Sequence, residues 1–469
     1  MKRKFLLIAL FTLLSLAVIF AIAQKKKSYT LLSQPNQQDA DADTAADADE
    51  VPVPPPISAS DQDIADLPKD TSALGGYNVL IADRGNNRLI EVTPDKQIVW
   101  EYNFNLPKPG LGADDSFFTD GGKSIIVNLE EYHVIQIINY ASKNVIWSYG
   151  VPGKPGHTDG MLNTPDDAYK LANGDVTVAD IKNCRIIELS PSKQIVRQYG
   201  QTRVCKNAAG FLDSPNGDTP LSNGHTFISN IRARNLVELD NNWQAIFTMS
   251  LPVKYPSDPQ LTKAGNILIS DYSKPGQIVE VSRQGKIVWQ FDGQSGDVKL
   301  NHPSLAVELP NGNILANDDL NNRVIVINKQ SKQIVWQYGV TGKPGSGPGQ
   351  LSIPDGMDII MREASSVSSS QPTSSALTIG QVSRHPQNYV NQPVTVAGYV
   401  LEQQNGYAIF SDENSGSIGV YDLPVSGPGV DGLGLKQKYT LQGILKYQGL
   451  ASSNRNPYYL EVTNILNSN

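Results

Sequence analysis

The chain has 469 residues, of which 39% are hydrophobic and 18% are charged, and it contains 39 Gly, 30 Pro and 2 Cys. This length predicts two or three domains, and the high Gly and Pro content is typical of a turn-rich all-β protein rather than a coiled coil or a collagen. Two cysteines exclude a disulfide-rich miniature scaffold and a Cys-rich zinc module. The net charge of −7 argues against nucleic-acid binding, because affinity for phosphates needs a basic surface.

The first 23 residues have the pattern of an export segment. Residues 2–4 are basic, and an uncharged apolar run extends from Phe5 to Ala23. Such a run fits a cleaved signal peptide, and it is also nearly long enough to span a bilayer. Lysines follow it at once at 25–27, so the flanking charge does not decide between the two. We therefore predict an extracytoplasmic protein that is either secreted or anchored in a membrane through residues 5–23.

Residues 24–74 have the composition of a linker. They hold 10 Asp or Glu against 4 Lys, and they include the run DADADTAADADE and the Pro-rich stretch VPVPPP. Because few apolar residues and many like charges leave little to bury, we expect this segment to be disordered and extended. It is interpreted either as a spacer that lifts the folded part off a membrane or as a solvated tail.

A structural repeat occupies residues 75–361. Each of six copies has an apolar strand ending in Asp or Asn, a polar loop, a second apolar strand, a polar turn and a third strand. A repeat of this length predicts a six-bladed β-propeller with four-stranded blades. Residues 353–360 resemble an inner strand with no blade after it, so we expect them to complete the first blade and close the ring. The residues that end the first apolar strand are Asp83, Asn128, Asp180, Asn230, Asp271 and Asp318, at spacings of 45, 52, 50, 41 and 47 residues.

This repeat resembles known propeller families. The segment IADRGNNRLIEV, residues 81–92, is similar to an NHL-type repeat, and the endings IVWEY, IVWQF and IVWQY resemble arylsulfotransferase-type and related six-bladed propellers. The resemblance spans about residues 75–361 and lies in framework positions. It implies a ring with its ligand face on one side. It carries over no catalytic residue, because no local motif matches the active-site histidines of the sulfotransferases.

A second module follows. Residues 362–377 hold seven Ser in sixteen positions, which predicts a flexible tether. In residues 378–469 a helix-compatible start precedes five candidate strands, a pattern that resembles an OB-fold barrel. This region has five Lys or Arg against six Asp or Glu, so we favour a saccharide, peptide or structural role over nucleic-acid binding. The candidate strands are Val394–Leu401, Tyr407–Asp412, Ser417–Asp422, Lys438–Gln448 and Tyr458–Leu466, and residues 423–435 are expected to form a loop.

One face of the predicted propeller collects the candidate ligand-binding residues, because the loops between second and third strands and the loops between blades emerge on the same side. A ring of carboxylates there would suit an oxygen-bound cation such as calcium. The alternative is that each Asp caps its own loop by accepting backbone N–H bonds, and the recurrence of these residues from blade to blade favours it. The candidates are Asp83, Arg88, Asp159, Asp180, Arg185, Asp271, Asp318 and Arg323.

Two interblade loops on this face are nearly identical, namely YGVPGKPGHTDGMLNTP (149–165) and YGVTGKPGSGPGQLSIP (338–354). His157, beside Asp159 in the first of them, is the one histidine that we consider as a general base, and the alternative is a surface histidine. The five histidines are scattered and form no HExxH motif, so no metal site of the zinc type is predicted. The sequence has no GxSxG motif and no phosphate-binding Gly-Lys-Ser/Thr loop, and it identifies no cofactor.

The sequence repeats the same residue types from blade to blade and shows no unique set of reactive residues. This pattern favours a non-catalytic binding or interaction protein. Its partner would be a protein, a glycan or a small molecule held at the loop face. The alternative is a propeller enzyme of the arylsulfotransferase or lactonase-like kind, acting through His157 and the carboxylates of that face. A third hypothesis is a redox-cofactor propeller, since the aromatic strand endings resemble those of quinoprotein blades.

The two cysteines are predicted to form a disulfide. Cys184 lies in the loop between the second and third strands of the third blade, and Cys205 lies in the interblade loop that follows. Both loops leave the same face of the ring, and an extracytoplasmic compartment permits oxidation. The alternative is a pair of unlinked thiols.

Overall fold

The computed structural model describes residues 53, 55–57, 59–293, 299–362, 376–384, 386, 389, 392–404, 407–414, 422–447 and 458–468. All of them belong to one compact unit, Pro52–Asn469. The predicted export segment, most of the predicted linker and most of the Ser-rich tether lie outside these residues. No helix in the described part of the chain has the length and apolar character needed to cross a bilayer.

Six antiparallel sheets form a β-propeller, which confirms the all-β fold class and the blade number predicted from the repeat. The ring closes as expected, because strand β23 (Pro354–Ile360) pairs with β1 (Asn78–Asp83) as the innermost strand of blade 1. In blade 4 the innermost segment, residues 215–220, makes isolated bridges to its neighbour instead of a full strand.

From the axis outward the blades contain the following strands. Blade 1 has β23, β1, β2 (Arg88–Val92) and β3 (Ile98–Asn103), and blade 2 has β4 (Ser116–Thr119), β5 (Ser124–Leu129), β6 (Val134–Asn139) and β7 (Val145–Gly150). Blade 3 has β8 (Pro165–Lys170), β9 (Val176–Asp180), β10 (Arg185–Leu189) and β11 (Ile195–Gly200), and blade 4 has β12 (Thr226–Asn230), β13 (Asn235–Leu239) and β14 (Ala245–Ser250). Blade 5 has β15 (Pro256–Leu261), β16 (Ile267–Asp271), β17 (Gln277–Val281) and β18 (Ile287–Phe291), and blade 6 has β19 (Ala306–Glu308), β20 (Ile314–Asp318), β21 (Arg323–Asn328) and β22 (Gln333–Tyr338).

Tryptophans in the outermost strands of blades 1, 2, 5 and 6 tie each of these blades to the next. The indole N–H of Trp100 in blade 1 donates to the carbonyl oxygen of Tyr140 in blade 2, at 2.9 Å. The corresponding bond of Trp336 runs from blade 6 back to the carbonyl oxygen of Pro94 in blade 1, at 2.8 Å, and so completes the ring. The aromatic endings therefore pack the blades against one another. Trp147 and Trp289 make the equivalent bonds to Pro191 and Lys329.

The end of the predicted linker is folded against blade 6. Ser60 caps a short helix, α1 (Asp61–Ala65), and a 3-10 turn at Thr71–Leu74 follows, with Leu74 fully buried. Between them Lys69 pairs with Trp336 in β22. We call residues 57 and 59–74 the arm. A few apolar residues at the right spacing order the arm, and the average composition of the linker does not show them.

A closed five-stranded barrel follows the propeller, preceded by helix α2 (Ile379–Arg384). Strand β25 (Pro393–Gln404) pairs with both β26 (Tyr407–Ser411) and β28 (Lys438–Tyr447), and β29 (Tyr458–Ser468) pairs with both β28 and β27 (Leu423–Ser426), which closes the barrel. The expectation of a loop over residues 423–435 was wrong at its start, because Leu423 and Val425 are buried in the barrel core as part of β27. The predicted strand at 417–422 lies almost entirely outside the described residues. The strands are β24 (Leu377–Thr378), β25 (Pro393–Gln404), β26 (Tyr407–Ser411), β27 (Leu423–Ser426), β28 (Lys438–Tyr447) and β29 (Tyr458–Ser468).

Candidate functional site

All the predicted loop-face residues except Asp159 form buried interactions, here called brackets, in which the Asp that ends a strand accepts hydrogen bonds from a nearby side chain and from the backbone of an interblade loop. Asp318, which ends the second strand of blade 6, accepts a bond from Arg323 Nε at 2.8 Å and another from the backbone N–H of Asn301 at 2.7 Å. Asp271 in blade 5 accepts backbone N–H bonds from the preceding interblade loop. Each bracket thus holds an interblade loop against its blade, which is the capping geometry. The equivalent pairs are Asp83 with Arg88 and Asp180 with Arg185, at 2.7 and 2.8 Å.

The candidate base of the enzymatic hypothesis lies elsewhere. His157 and Asp159 are exposed on the loop between blades 2 and 3, whereas the bracket carboxylates are buried. The structure therefore does not bring the residues of that hypothesis together into one site.

The two cysteines are joined in the structure, with their Cα atoms 5.3 Å apart. This separation is within the range that a disulfide requires. Cys184 is fully buried at the end of the 3-10 turn that follows β9. The bond links this turn to the interblade loop that leaves blade 3.

A second set of acidic residues, which the repeat pattern does not reveal, lines the central channel. The blades supply them at the start of their innermost strands and from the neighbouring loops. Carboxylates from blades on different sides of the ring can approach one another only at the axis. The residues are Asp355 from blade 1, Asp114, Asp115, Glu130 and Glu131 from blade 2, Asp166 and Asp167 from blade 3, Asp218 from blade 4, Asp258 from blade 5 and Asp319 from blade 6.

β-Bulges aim several of these carboxylates at the axis. In β8, Asp166 and Asp167 together oppose a single residue of β9. Blades 5 and 1 have the same irregularity at Asp258 and Asp355. Asp258 also has a φ of 26°, a region that residues other than glycine seldom adopt. Bulges redirect side chains and are common beside functional sites. The local backbone therefore directs these side chains into the cluster.

Arg84 forms ion pairs in the upper layer of the channel, which lies at the loop face. Its Nη1 contacts Asp355 at 2.7 Å and Asp114 at 2.5 Å, its Nη2 contacts Glu130 at 3.0 Å, and it also bonds Glu131. Burial is the largest influence and raises the pKa of Asp355, but the charge of Arg84 together with hydrogen bonds to Asp114, Arg84 and Ser304 holds that pKa below its ordinary value. Arg84 therefore supplies one positive charge to four carboxylates, and burial and the charge of Asp355 still raise the pKa of Asp114 well above its ordinary value.

The lower layer begins one residue further along the innermost strands and contains carboxylate oxygens without partners. Among the described residues, Asp115 Oδ1 and Asp258 Oδ1 are buried and accept no hydrogen bond. Burial, followed by repulsion from neighbouring carboxylates, raises the pKa of Asp115 well above its ordinary value. The same two causes raise the pKa of Asp258 to about 7. An unpaired buried charge costs several kcal/mol, so these groups need either a proton or a cation.

Two groups of these carboxylates have the spacing of a metal site. In each group, one oxygen from every residue lies within 4.8 Å of the others. Both groups offer oxygen ligands alone, the donor set that Ca²⁺ and Mg²⁺ prefer, and neither has the His or Cys of a zinc site. The upper group is Asp114, Glu130 and Asp166, and the lower group is Asp115, Asp166 and Asp258.

The lower group has the greater need of a cation. Arg84 already bonds two members of the upper group. Beside the lower group, Asn216 donates from Nδ2 to Asp166 Oδ2 at 2.5 Å, and its own Oδ1 is buried without a hydrogen-bond partner in the described structure. An unused amide oxygen next to three carboxylates adds a fourth oxygen of the kind that coordinates hard cations.

Apolar side chains border the acidic layers on the side away from the loop face. Phe117 and Tyr169 stack there with their ring centroids 4.4 Å apart. Together with Leu261, Val307 and Met357 they line a cavity of about 80 Å³. An apolar boundary lowers the local dielectric, and this strengthens both the repulsion among the carboxylates and their attraction for a cation.

No protein-family model and no curated protein matches the sequence. Among solved structures, the chain is similar to a protein of unknown function from Bacteroides caccae, with 15% identity over 61% of this chain and all of the other, and a TM-score of 0.45. It is also similar to a chain of the nidogen/laminin complex, at 13% identity over 61% of this chain and all of the other, with a TM-score of 0.45. Virginiamycin B lyase from Staphylococcus aureus gives 16% identity over 49% of this chain and 71% of the other, with a TM-score of 0.37. These neighbours include both binding proteins and enzymes, and similarity at this level assigns neither role.

Proposed function

We propose that this protein is a divalent-cation-binding β-propeller that works outside the cytoplasm as a binding protein. The cation is held in the central channel by Asp115, Asp166 and Asp258. The observation that carries the proposal is the set of buried oxygens within 4.8 Å of one another, two of whose residues have an oxygen without a partner.

Electrostatics supports a cation at this point. Three carboxylates so close together in a buried site repel one another strongly and cannot all ionise without a counter-charge. A divalent ion supplies that charge and satisfies several lone pairs at once. Ca²⁺ fits the donor set best, because it accepts six to eight oxygen ligands in flexible geometry and keeps waters where protein ligands are lacking.

The cation would cross-link the ring. Asp115, Asp166 and Asp258 come from blades 2, 3 and 5, so one ion connects three innermost strands that are far apart in the chain. Such a link holds the blades in register and with them the interblade loops of the loop face. In this proposal the cation pre-organises the face that binds a protein, glycan or small-molecule ligand, and pre-organisation lowers the entropic cost of binding.

We favour binding over catalysis because the candidate base is remote from the cluster. His157 is exposed on an interblade loop, and the acidic cluster is buried. Export is supported by the apolar segment at residues 5–23 and by the paired Cys184 and Cys205, since such bonds persist outside the cytoplasm.

Calorimetric titration of the metal-stripped full chain with Ca²⁺ tests the proposal. We expect one equivalent per chain and a rise in melting temperature, because a ligand that binds only the folded state stabilises it. Asp258→Asn should weaken binding by at least about tenfold, the loss that follows when even a residue that only orients a metal ligand is changed. Asp159→Asn removes an exposed carboxylate and is the matched control, with unchanged affinity. Absence of binding and of any melting shift with Ca²⁺, Mg²⁺ and Mn²⁺ would overturn the proposal.

A further inference from the structure

The two nearly identical interblade loops also share their backbone conformation. Residues 149–165 follow blade 2 and residues 338–354 follow blade 6. In the first the N–H of Gly160 donates to the hydroxyl of Tyr149 at 2.9 Å, and in the second the N–H of Gly349 donates to the hydroxyl of Tyr338 at 3.1 Å. Matching backbone bonds recur along both loops, at Gly153 and Gly342, Lys154 and Lys343, and Gly156 and Gly345. The loops share 10 of 17 residues and the same backbone bonds, so their backbones form equivalent surfaces.

The arm covers the loop that follows blade 6. The N–H of Ile57 donates to the carbonyl oxygen of Pro344 at 2.8 Å. Asp63 Oδ2 accepts from Lys343 Nζ at 2.8 Å, and the side chain of Ile64 packs close to Gly349. The arm thus recognises three features of this loop. They are a basic side chain, a backbone carbonyl oxygen that accepts its N–H bond, and a glycine that leaves room for an aliphatic side chain.

The arm also extends the sheet of blade 6. The N–H of Asp70 donates to the carbonyl oxygen of Val335 at 3.0 Å, and the N–H of Gln337 donates to the carbonyl oxygen of Pro68 at 3.0 Å. These bonds add an extended segment to the outer edge of β22, the pairing mode known as β-augmentation. Next to this pairing, Val335 is partly buried and packs against the core cluster that includes Ala73 and Leu74 of the arm.

Blade 2 presents the equivalent surface, which no segment covers in the part of the chain that the structure describes. In β7, Val145 is 42% exposed and Ile146 is 57% exposed. The equivalent residues of blade 6 are Ile334, which is buried, and Val335, which is partly buried. Lys154, the counterpart of Lys343, is exposed as well. A free sheet edge with exposed aliphatic residues is a ready template for pairing with another segment.

We propose that β7 together with the loop 149–165 is a docking site for an extended segment of a partner protein that has the chemistry of the arm. That segment pairs with the edge of β7, places a carboxylate against Lys154 and packs an aliphatic side chain on Gly160. Charge complementarity and the seated arm on the equivalent surface of blade 6 both define this occupant. The proposal is independent of the cation site.

A synthetic peptide with the sequence of residues 56–74 is the probe, titrated into the full chain and followed by fluorescence anisotropy. We expect saturable binding. Lys154→Glu removes the ion pair and should weaken it about threefold to fivefold, the range of a partly exposed pair. Ile146→Ser removes an aliphatic contact and should weaken it by a similar factor. Val288→Ser is the matched control, because Val288 is 49% exposed at the equivalent edge of blade 5, which lacks the shared loop sequence.

Reversing the charges of both partners gives a more specific test in the same experiment. A peptide that carries Asp63→Lys should bind wild type more weakly and should recover its affinity for the Lys154→Glu protein. The proposal is overturned if no saturable binding is found, or if binding responds to Lys343→Glu and not to Lys154→Glu, since the peptide would then displace the arm from blade 6. It is also overturned if light scattering without peptide shows a dimer that Ile146→Ser dissolves, because the occupant would then be a second copy of this chain.

Discussion

Removal of the cation should make the stability of the propeller fall as the pH rises. Without metal, burial and repulsion from neighbouring carboxylates raise the pKa of Asp258 from 3.8 to about 7. A carboxyl group whose pKa is higher in the folded state contributes its full stabilisation below about pH 4, where both states hold the proton. That stabilisation is lost as the pH rises towards 7, because the unfolded chain releases the proton while the folded chain still retains it.

The size of the effect follows from the two pKa values of Asp258. A difference of about 3 corresponds to about 4 kcal/mol over the whole range, and to about 2 kcal/mol between pH 5 and pH 7. A cation replaces the proton as the counter-charge. Ca²⁺ at a hundred times its dissociation constant should therefore restore about 2.7 kcal/mol at neutral pH.

Urea unfolding between pH 5 and pH 8, in EDTA or in Ca²⁺, measures this. All 5 tryptophans belong to the propeller, so their fluorescence reports its unfolding and not that of the barrel. In EDTA the free energy of unfolding should fall with pH for wild type and for the control Asp159→Asn. The fall should be smaller for Asp258→Asn, in which part of it remains because the pKa of Asp115 is raised as well. Equal stability of the stripped wild type at pH 5 and pH 7, or the same slope in Asp258→Asn, would refute the reasoning.

Three further outcomes are expected. Arg84→Gln should destabilise the metal-free protein by about 3–5 kcal/mol, because it leaves buried carboxylates unpaired, and it should take up a second Ca²⁺ in calorimetry; a single equivalent would show that Arg84 does not occupy a cation position. Thiol titration of the unfolded, unreduced chain should find no free thiol at Cys184 or Cys205, and their reduction should cost about 3 kcal/mol in urea unfolding. Leu74→Ala should destabilise the propeller by about 2–5 kcal/mol in the same assay, since this fully buried side chain anchors the arm, and a change below 1 kcal/mol would show that the arm is not part of the propeller core.

The repeat was sufficient to predict the architecture. The apolar strands ending at Asp83, Asp180 and Asp318 are local patterns that recur from blade to blade, and four blades share a tryptophan in the outermost strand, so these patterns can be read from one sequence. The arm could not be predicted in the same way. Its order depends on Leu74 and a few neighbours meeting blade 6, more than 250 residues later in the chain, and no local pattern marks that contact.

The channel cluster escaped prediction because it is built from positions at which the blades differ. The bracket residue Asp318 and its equivalents recur because each blade must fasten its loop, and a side chain that every blade needs is satisfied within its own blade. At the start of the innermost strand the residue is Asp166 in blade 3, Asn216 in blade 4, Ser257 in blade 5 and Ser304 in blade 6. A search for the repeat finds what the blades have in common, so it does not detect positions that vary in this way.

The variation between blades determines which ligands the channel offers to a cation. A ring of six identical residues would place equal charges around the axis, and no single ion could satisfy them all. Blades 2, 3 and 5 instead supply Asp115, Asp166 and Asp258, blade 4 supplies the amide of Asn216, and Arg84 from blade 1 balances the other end of the channel. An asymmetric set of donors on a symmetric frame can form one cation site of defined geometry. In a repeat protein, then, the shared residues specify the fold, and the departures from the repeat are the place to search for function.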